Sequence, residues 1–263
     1  MIFDTHAHYY DEAFDADRDA LLASLPGRGV ALVVCPGCDP ESSRQSIALA
    51  ERYGFLYAAA GYHPENLEGA ALSDLDAVKA LCAHPKVVAV GEIGLDLFGD
   101  DPQFERQQWL LDEQLKLAKR YDLPVILHSR RTHDKLAMHL KRHDLSRTGV
   151  VHGFSGSLQQ AERFVQLGYK IGVGGTITYP RASKTRDGLC ILMGFTRPLM
   201  SVASLLLETD APDMPLNGFQ GQANRPEQAA RVFAVLCELR SEPADEIAEV
   251  LLNNTYAVFS VSG

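Results

Sequence analysis

Eight short apolar runs, each suited to a β-strand buried on both faces, recur along the chain of 263 residues. They cover residues 2–4, 31–35, 55–60, 87–90, 125–127, 149–151, 169–173 and 205–207. Helical patterns lie between most of them, at about residues 17–25, 41–53, 73–83, 102–121, 131–143, 157–167, 225–240 and 244–259. Strand and helix therefore alternate from one end of the chain to the other.

This alternation predicts a parallel sheet, and eight units in this length predict an α/β fold with a single (β/α)₈ TIM-type barrel. No linker rich in proline or serine divides residues 1–263, so we expect one domain. The alternative is an open doubly wound sheet. Its dinucleotide-binding version is weakened because no Gly-x-Gly-x-x-Gly motif follows the first run.

The stretch 188–207 is apolar over about the length of a transmembrane helix. Arg197 and Pro198 interrupt it, and Gly194 and Ser201 are among the residues that dilute it. We therefore expect a helix, a break and a buried strand here, and no contact with a membrane.

The charge and the cysteine content of the chain limit its possible functions and its cellular location. The 34 acidic residues outnumber the 25 Lys and Arg, and the net charge of −9 argues against broad electrostatic capture of duplex DNA. A phosphodiester substrate is still possible, because bound divalent cations reverse the local field. The odd count of five cysteines and a first strand that starts at residue 2 predict a reducing, cytoplasmic setting.

Potential metal ligands stand at the ends of five of the predicted strands. They are His6, with His8 two residues further on, Glu92, His128, His152 and Asp210. Barrel active sites lie at the C-terminal ends of strands, so we expect these side chains to meet. His6 and His8 should reach one ion together, because residues i and i+2 of an extended chain project to the same side. Four imidazoles and two carboxylates suit a two-metal hydrolase.

These residues also have structural interpretations. Glu92 follows an apolar strand, so its carboxylate must be paired, protonated or metal-bound, and a buried salt bridge stays open. His128 or His152 alone would be an ordinary core histidine. Asp210 is a candidate to ligate a metal and to take a proton from the attacking water. Glu208 is expected deeper in the barrel, where it would orient another side chain.

Four further residues are candidates to bind an anionic substrate. His63 follows the third strand and could donate a hydrogen bond, although a turn-stabilising role is equally consistent. Asn224 and Arg225 open a helix and could bind phosphate, or Asn224 could simply cap that helix. Arg130, just past His128, is a similar candidate. The remaining histidines of one basic helical stretch, His133, His139 and His143, are predicted to be solvated.

Six motifs resemble, in order and across nearly the whole chain, those of the TatD family of metal-dependent deoxyribonucleases. They are Asp4-Thr5-His6-Ala7-His8, Gly61-Tyr62-His63-Pro64, Gly91-Glu92-Ile93-Gly94-Leu95-Asp96, Leu127-His128-Ser129-Arg130, His152-Gly153-Phe154-Ser155-Gly156 and Glu208-Thr209-Asp210-Ala211-Pro212. From about residue 90 onward the likeness is greatest to the branch of the family called YjjV. The segment 188–202 departs from the family pattern, because it is longer and more apolar.

The resemblance implies an amidohydrolase-type barrel that holds two divalent cations, Mg²⁺ or Mn²⁺, with Zn²⁺ in some members. It implies that His6, His8 and Asp210 bind the first cation, that Glu92 bridges, and that His128 and His152 bind the second. His63 would lie near the scissile phosphate. The implied reaction is phosphodiester hydrolysis in single-stranded DNA or at DNA ends, including 3′→5′ exonuclease action.

Two rival functions fit the same residues. The site could act on a small phosphoester or a cyclic amide, since barrel loops and not the fold determine the substrate. The chain could also be a non-catalytic metal-binding module, although such a module has no need of six ligands. Carboxylates favour Mg²⁺ or Mn²⁺ whereas imidazoles favour Zn²⁺, so the residues leave the metal open. The expected partners are DNA or a small phosphoester, without an obligate protein partner.

Overall fold

The computed structural model describes residues 2–69, 71–189 and 201–261. Its central sheet contains eight parallel strands in sequence order. They are β1 (Ile2–Asp4), β2 (Val30–Pro36), β3 (Leu56–Ala60), β4 (Val87–Asp96), β5 (Val125–Arg130), β6 (Gly149–Val151), β7 (Lys170–Val173) and β8 (Leu205–Leu207). Backbone hydrogen bonds from Thr5 N to Leu207 O and from Asp210 N to His6 O join the two ends of the sheet. The predicted (β/α)₈ barrel is therefore confirmed.

Helices connect the strands around the outside of the barrel. They are α1 (Arg18–Ser24), α2 (Pro40–Arg52), α3 (Leu72–Leu81), α4 (Phe104–Tyr121), α5 (His133–His143), α6 (Leu158–Gln166), α7 (Ser183–Leu189), α8 (Ala229–Leu239) and α9 (Ala244–Phe259). The helix α4 begins two residues later than its pattern suggests, because Gln103 before it adopts a left-handed conformation with φ of 48°.

Two apolar clusters divide the faces of the strands. Alternate strand residues such as Leu32, Val88 and Ile126 form an inner cluster, which Val258 and Phe259 at the end of α9 complete. The opposite faces of the strands pack with the surrounding helices in a larger cluster. Because both faces are covered, the strands read as continuous apolar runs in the sequence.

The strand β4 is longer than its apolar run. The sequence predicts an end at Val90, but β4 continues to Asp96 alongside β5, with Gly94 opposite His128 and Asp96 opposite Arg130. The polar residues and glycines of this second half interrupt the apolar pattern, so hydrophobicity alone does not predict that the strand continues. Glu92 therefore lies within the strand and not after it, as does His128 within β5.

The unusual segment 188–202 is only partly described. The helix α7 covers its first two residues, and a short 3₁₀ helix at Val202–Ser204 leads directly into β8. The break predicted near Arg197 and Pro198 falls on residues 190–200, outside the described part of the chain. Among the described helices, none combines the length and the apolar character needed to span a bilayer.

Candidate metal centre

The carboxylate of Glu92 lies at the centre of the predicted site. Only 3% of its side chain is exposed, and its two oxygens face different groups of side chains. Oε1 lies 3.1 Å from His6 Nε2 and 3.4 Å from His8 Nε2. Oε2 contacts three other imidazoles, those of His63, His128 and His152. The strand β4 thus carries one carboxylate between two sets of donor atoms.

The first set combines His6, His8 and Asp210 with Glu92 Oε1. The two Nε2 atoms lie 3.2 Å apart, and each lies 3.4 Å from Asp210 Oδ1. Tetrahedral ligands at metal–nitrogen distances of about 2.0–2.1 Å are about 3.3–3.4 Å from one another. The spacing of these four atoms is therefore that of ligands to one cation.

The second set surrounds Glu92 Oε2. His128 Nδ1 lies 3.1 Å from this oxygen, and His152 Nε2 lies 2.9 Å from it. The His6 and His152 rings stack at a centroid distance of 3.7 Å, so the two sets adjoin. The six predicted ligands therefore meet in one place, as their positions on the barrel strands suggested.

Hydrogen bonds fix which ring nitrogen of two of these histidines faces the centre. Pro36 O lies 3.1 Å from His8 Nδ1, and a carbonyl can only accept, so Nδ1 carries the hydrogen and Nε2 offers its lone pair. Asp96 Oδ2 lies 2.6 Å from His128 Nε2, which leaves Nδ1 to face Glu92. Such outer partners are typical of metal-binding histidines.

The Glu208 carboxylate lies on the far side of the His152 ring. Its Oε1 accepts a hydrogen bond from Gly153 N and lies 3.5 Å from His152 Nδ1. The side chain is 1% exposed, so it is deep in the barrel, as the sequence suggested. In the described structure, His152 Nδ1 and Glu208 Oε2 have no hydrogen-bond partner.

His63 is oriented as a hydrogen-bond donor and not as a ligand. Its Nδ1 accepts a hydrogen bond from the Glu65 backbone N–H at 3.1 Å, so in the neutral ring the hydrogen is on Nε2. That nitrogen lies 3.1 Å from Glu92 Oε2. Although His63, Glu92 and His128 are close enough to hold an ion, this tautomer makes His63 a donor.

The charge state of the carboxylates follows from their surroundings. Burial alone would raise the pKa of Glu92, but the imidazoles of His152, His63 and His6 hold it well below its usual range. Burial opposes ionisation of Asp210 as well, yet its contact with His8 and the other nearby imidazoles lower its pKa. Both carboxylates are therefore ionised at neutral pH.

The donor set fits divalent cations. On one side, Nε2 of His6 and Nε2 of His8 converge with the ionised carboxylates of Glu92 and Asp210. On the other side, two more imidazole nitrogens converge on the second oxygen of Glu92. Two neighbouring Nε2 atoms at 3.2 Å cannot both carry a hydrogen, and a shared cation satisfies them together.

The site opens into a cavity of about 700 Å³ at the carboxyl ends of the strands. His63 and Arg130, two of the predicted substrate-binding residues, line it. Asn224 and Arg225 do not: the Asn224 amide donates to the Thr209 and Met214 carbonyls. Arg225 forms ion pairs with Asp17 and Glu227, so both residues hold the loop after β8 together.

Asp96 is a further residue of the centre that was not predicted from the sequence. It stands four residues after Glu92 on β4, so the two carboxylates project to the same side of the strand, and this spacing was the available signal. Its side chain is 4% exposed. Burial alone would raise the pKa of Asp96, but its hydrogen bond with His128 lowers it.

The prediction that three histidines of α5 are solvated is wrong. His133 and His139 are buried, and the His143 side chain is only 12% exposed. His139 Nδ1 and His143 Nε2 each lie 2.7 Å from Asp112 Oδ1 on α4. A partner on another helix satisfies them, and the basic local sequence gives no sign of it.

Comparison with known proteins agrees with this geometry. Residues 3–260 match the family model described as TatD related DNase. The chain is 72% identical over 260 residues to the uncharacterised metal-dependent hydrolase YjjV of Escherichia coli K12, covering 98% of this chain and 97% of the relative. The crystal structure of YjjV, a TatD homologue of that organism, superposes with a TM-score of 0.93 at 69% identity, covering 99% of this chain and 98% of that chain.

A more distant relative carries a more specific name. It is the 3′-5′ ssDNA/RNA exonuclease TatD of Pantoea sp. strain At-9b, 31% identical over 213 residues, with 80% of this chain and 79% of the relative covered. The family match spans almost the whole chain and includes all six residues that converge on the centre. The chain belongs to the TatD-related DNase family.

Proposed function

We propose that this chain, a metal-dependent hydrolase of the TatD family, cleaves phosphodiester bonds in single-stranded nucleic acid or at its ends. The main support for this proposal is that the two carboxylate oxygens of Glu92 face different histidines. One oxygen faces His6 and His8, and the other faces His128 and His152. This arrangement supports two divalent cations, Mg²⁺ or Mn²⁺ with Zn²⁺ as the alternative. Such cations, when bound, activate water and stabilise developing charge on phosphate.

Asp210 is the proposed general base. Its side chain is 15% exposed and lines the cavity, whereas the Glu92 side chain is 3% exposed and both of its oxygens face imidazoles. An ionised carboxylate with access to the cavity can accept the proton of an attacking water. Glu92 therefore holds the centre together, while Asp210 takes the proton.

His63 is the proposed donor to the substrate. Its hydrogen-bearing Nε2 lies at the cavity wall, 3.1 Å from Glu92 Oε2, and the Glu65 backbone fixes the ring. A phosphate oxygen that enters this region can accept that hydrogen. Arg130 lines the same cavity and would bind phosphate through its guanidinium, whereas Asn224 and Arg225 would act only by shaping the loop after β8.

The relative from Pantoea supports nucleic acid as the substrate, since its name specifies single-stranded DNA and RNA. Hydrolysis of a small phosphoester or cyclic amide is the second candidate, and the acidic lining of the cavity favours it. That lining includes Asp11, Asp39, Glu65 and Asp213.

Four described cysteines carry free thiols, which supports the proposed cytoplasmic location.

The test uses metal-stripped protein and single-stranded DNA labelled at its 3′ or 5′ end, with Mg²⁺, Mn²⁺ or Zn²⁺ added back. We expect metal-dependent digestion that falls by about 10²–10⁴-fold in Asp210→Ala, the range associated with loss of a general base. Asp213→Ala is the matched control, because this carboxylate lines the same cavity three residues away. Hydrolysis of small phosphoesters without digestion of DNA would favour the second candidate.

A further inference from the structure

A second cavity of about 690 Å³ adjoins the active-site cavity. Arg130 and Ser155 line both, so they form the wall where the two cavities meet. We call this second cavity the annex and define it by Arg130, Arg131, His133, Asp134, Lys135 and Ser155. It lies where β5 ends and α5 begins.

The annex is cationic, in contrast to the rest of the site. Arg130, Arg131 and Lys135 give three positive charges against the single carboxylate of Asp134, a balance of +2 in a chain whose net charge is −9. Burial lowers the pKa of His133, so this imidazole is neutral. Within the described residues, no carboxylate forms an ion pair with any of the three cations, which leaves them available to an anion.

An exposed aromatic ring holds two of these cations. The Phe98 side chain is 52% exposed, and the Arg130 guanidinium carbon lies 3.4 Å from the centre of its ring. The Arg131 guanidinium carbon lies 5.3 Å from the same centre. Cation–π contacts of this kind restrict flexible arginines and so reduce the entropy lost when they bind a ligand.

The start of α5 adds backbone donors to the same wall. This helix of 11 residues begins at His133, and the Thr132 side chain makes no capping hydrogen bond. Thr132 therefore leaves the N–H groups of the first turn uncapped, and these groups carry the positive end of the helix dipole. His133 Nε2, also buried in this wall, has no hydrogen-bond partner among the described residues.

We propose that the annex binds the phosphate next to the scissile one, so that the preferred substrate is a strand of several nucleotides and not a small phosphoester. This inference rests on the proposed function of the adjoining site. The acidic cavity needs cations to accept a phosphate, whereas Arg130, Arg131 and Lys135 can bind one directly. Ser155, at the junction, would contact the chain between the two phosphates.

The test compares a one-phosphate substrate, bis(p-nitrophenyl) phosphate, with a labelled deoxytetranucleotide. The variant is Arg131→Ala/Lys135→Ala, which spares the shared residue Arg130. The matched control is Lys141→Ala/Arg163→Ala, which removes the same charge from α5 and α6 outside the annex. We expect kcat/KM of the annex variant on the tetranucleotide to fall about tenfold. The salt dependence of its log kcat/KM should become shallower by about 1.

Hydrolysis of bis(p-nitrophenyl) phosphate should stay within about twofold of wild type in both double variants, since one phosphate does not reach the annex. The annex proposal is overturned if the annex variant matches the control on the tetranucleotide. Equal losses on both substrates would also overturn it, because the two side chains would then act at the reaction centre itself.

A binding measurement separates the annex from the proposed function. If the wild type hydrolyses neither substrate with any cation, the nuclease proposal fails. Fluorescence anisotropy of the labelled tetranucleotide with metal-stripped protein at low salt then tests whether the annex binds the strand. Weaker binding by the annex variant than by the control supports the annex, and equal binding overturns it.

Discussion

At the scale of single residues, we infer that Asp96 positions His128. The 2.6 Å contact holds His128 Nε2 and leaves Nδ1 directed at Glu92. We predict that Asp96→Asn lowers metal affinity or kcat/KM by about 10–100-fold, the usual effect of losing an outer partner of a metal-binding histidine. Isothermal titration with Mn²⁺ and a steady-state assay measure both quantities.

The control for this variant is Asp101→Asn, which changes an exposed carboxylate in the loop after β4. It should leave both quantities at the wild-type level. An Asp96→Asn protein with wild-type metal affinity and turnover would show that His128 is oriented without this carboxylate.

The residues of the centre were predictable to different degrees. Six residues could be singled out because each is a polar side chain at a place where a barrel presents its chemistry, and they converge in the structure: His6, His8, Glu92, His128, His152 and Asp210. Asp96 was missed because its partner is on the next strand, and only the register of β4 with β5 reveals the contact. Arg225 was a candidate phosphate ligand because the sequence does not reveal its ion-pair partner. That partner is Asp17, 208 positions away.

At the scale of elements, Asp112 joins α4 to α5. Its carboxylate accepts from His139, His143 and Arg142 and is 24% exposed. We predict that Asp112→Asn lowers the free energy of unfolding by about 1–3 kcal/mol, the cost of leaving buried partners unsatisfied. Glu113→Gln, which affects only an exposed pair with Lys116, should leave the free energy of unfolding close to that of wild type. Urea denaturation of both variants provides the comparison.

The same carboxylate predicts a pH dependence. Burial opposes the ionisation of Asp112, but its hydrogen bonds with the histidines of α5 lower its pKa below the ordinary value. A depressed pKa gives stability that is complete above the unfolded pKa of about 3.9 and is lost as the pH falls through the folded value. The stability difference between wild type and Asp112→Asn should therefore shrink below about pH 4. A difference that stays constant from pH 7 to pH 3 would contradict this.

The close approach of β4 to β5 depends on Gly94. Its φ is 151°, and an added β-carbon would collide with the backbone carbonyl of His128. We predict that Gly94→Ala destabilises the protein by about 3 kcal/mol or more, because neither strand can move without disturbing the centre. Gly99→Ala, which meets nothing within 4 Å, serves as the control. Thermal unfolding followed by circular dichroism tests this, and equal midpoints for the two variants would refute it.

The elements themselves were largely readable from sequence. Buried parallel strands are short apolar runs, and this property located all eight. The second half of β4 was hidden because residues 91–96 contain two glycines and two carboxylates, which lack strand propensity. The break expected near Arg197 lies outside the described residues, so it stays a prediction. That residues 1–263 form one domain also stays a prediction.

At the scale of the whole molecule, metal binding should stabilise the fold. The donor atoms come from β1, β4, β5, β6 and β8 and their C-terminal ends, so the unfolded chain cannot present them together. At a free cation concentration of about 100 times Kd, linkage gives about 2.7 kcal/mol. For a chain of this length that raises Tm by about 5–10 °C. Differential scanning calorimetry with and without Mn²⁺ should show this shift, which Glu92→Ala should largely abolish.

Two-metal catalysis is tested by recording bound Mn²⁺ and hydrolysis of single-stranded DNA in the same samples. We predict that turnover of metal-stripped wild-type protein rises with bound Mn²⁺ and reaches a plateau near two ions per chain. Glu92→Ala should bind fewer ions and digest no DNA above background. Full turnover in the presence of a chelator, or wild-type turnover by Glu92→Ala, would contradict a metal-dependent mechanism centred on Glu92.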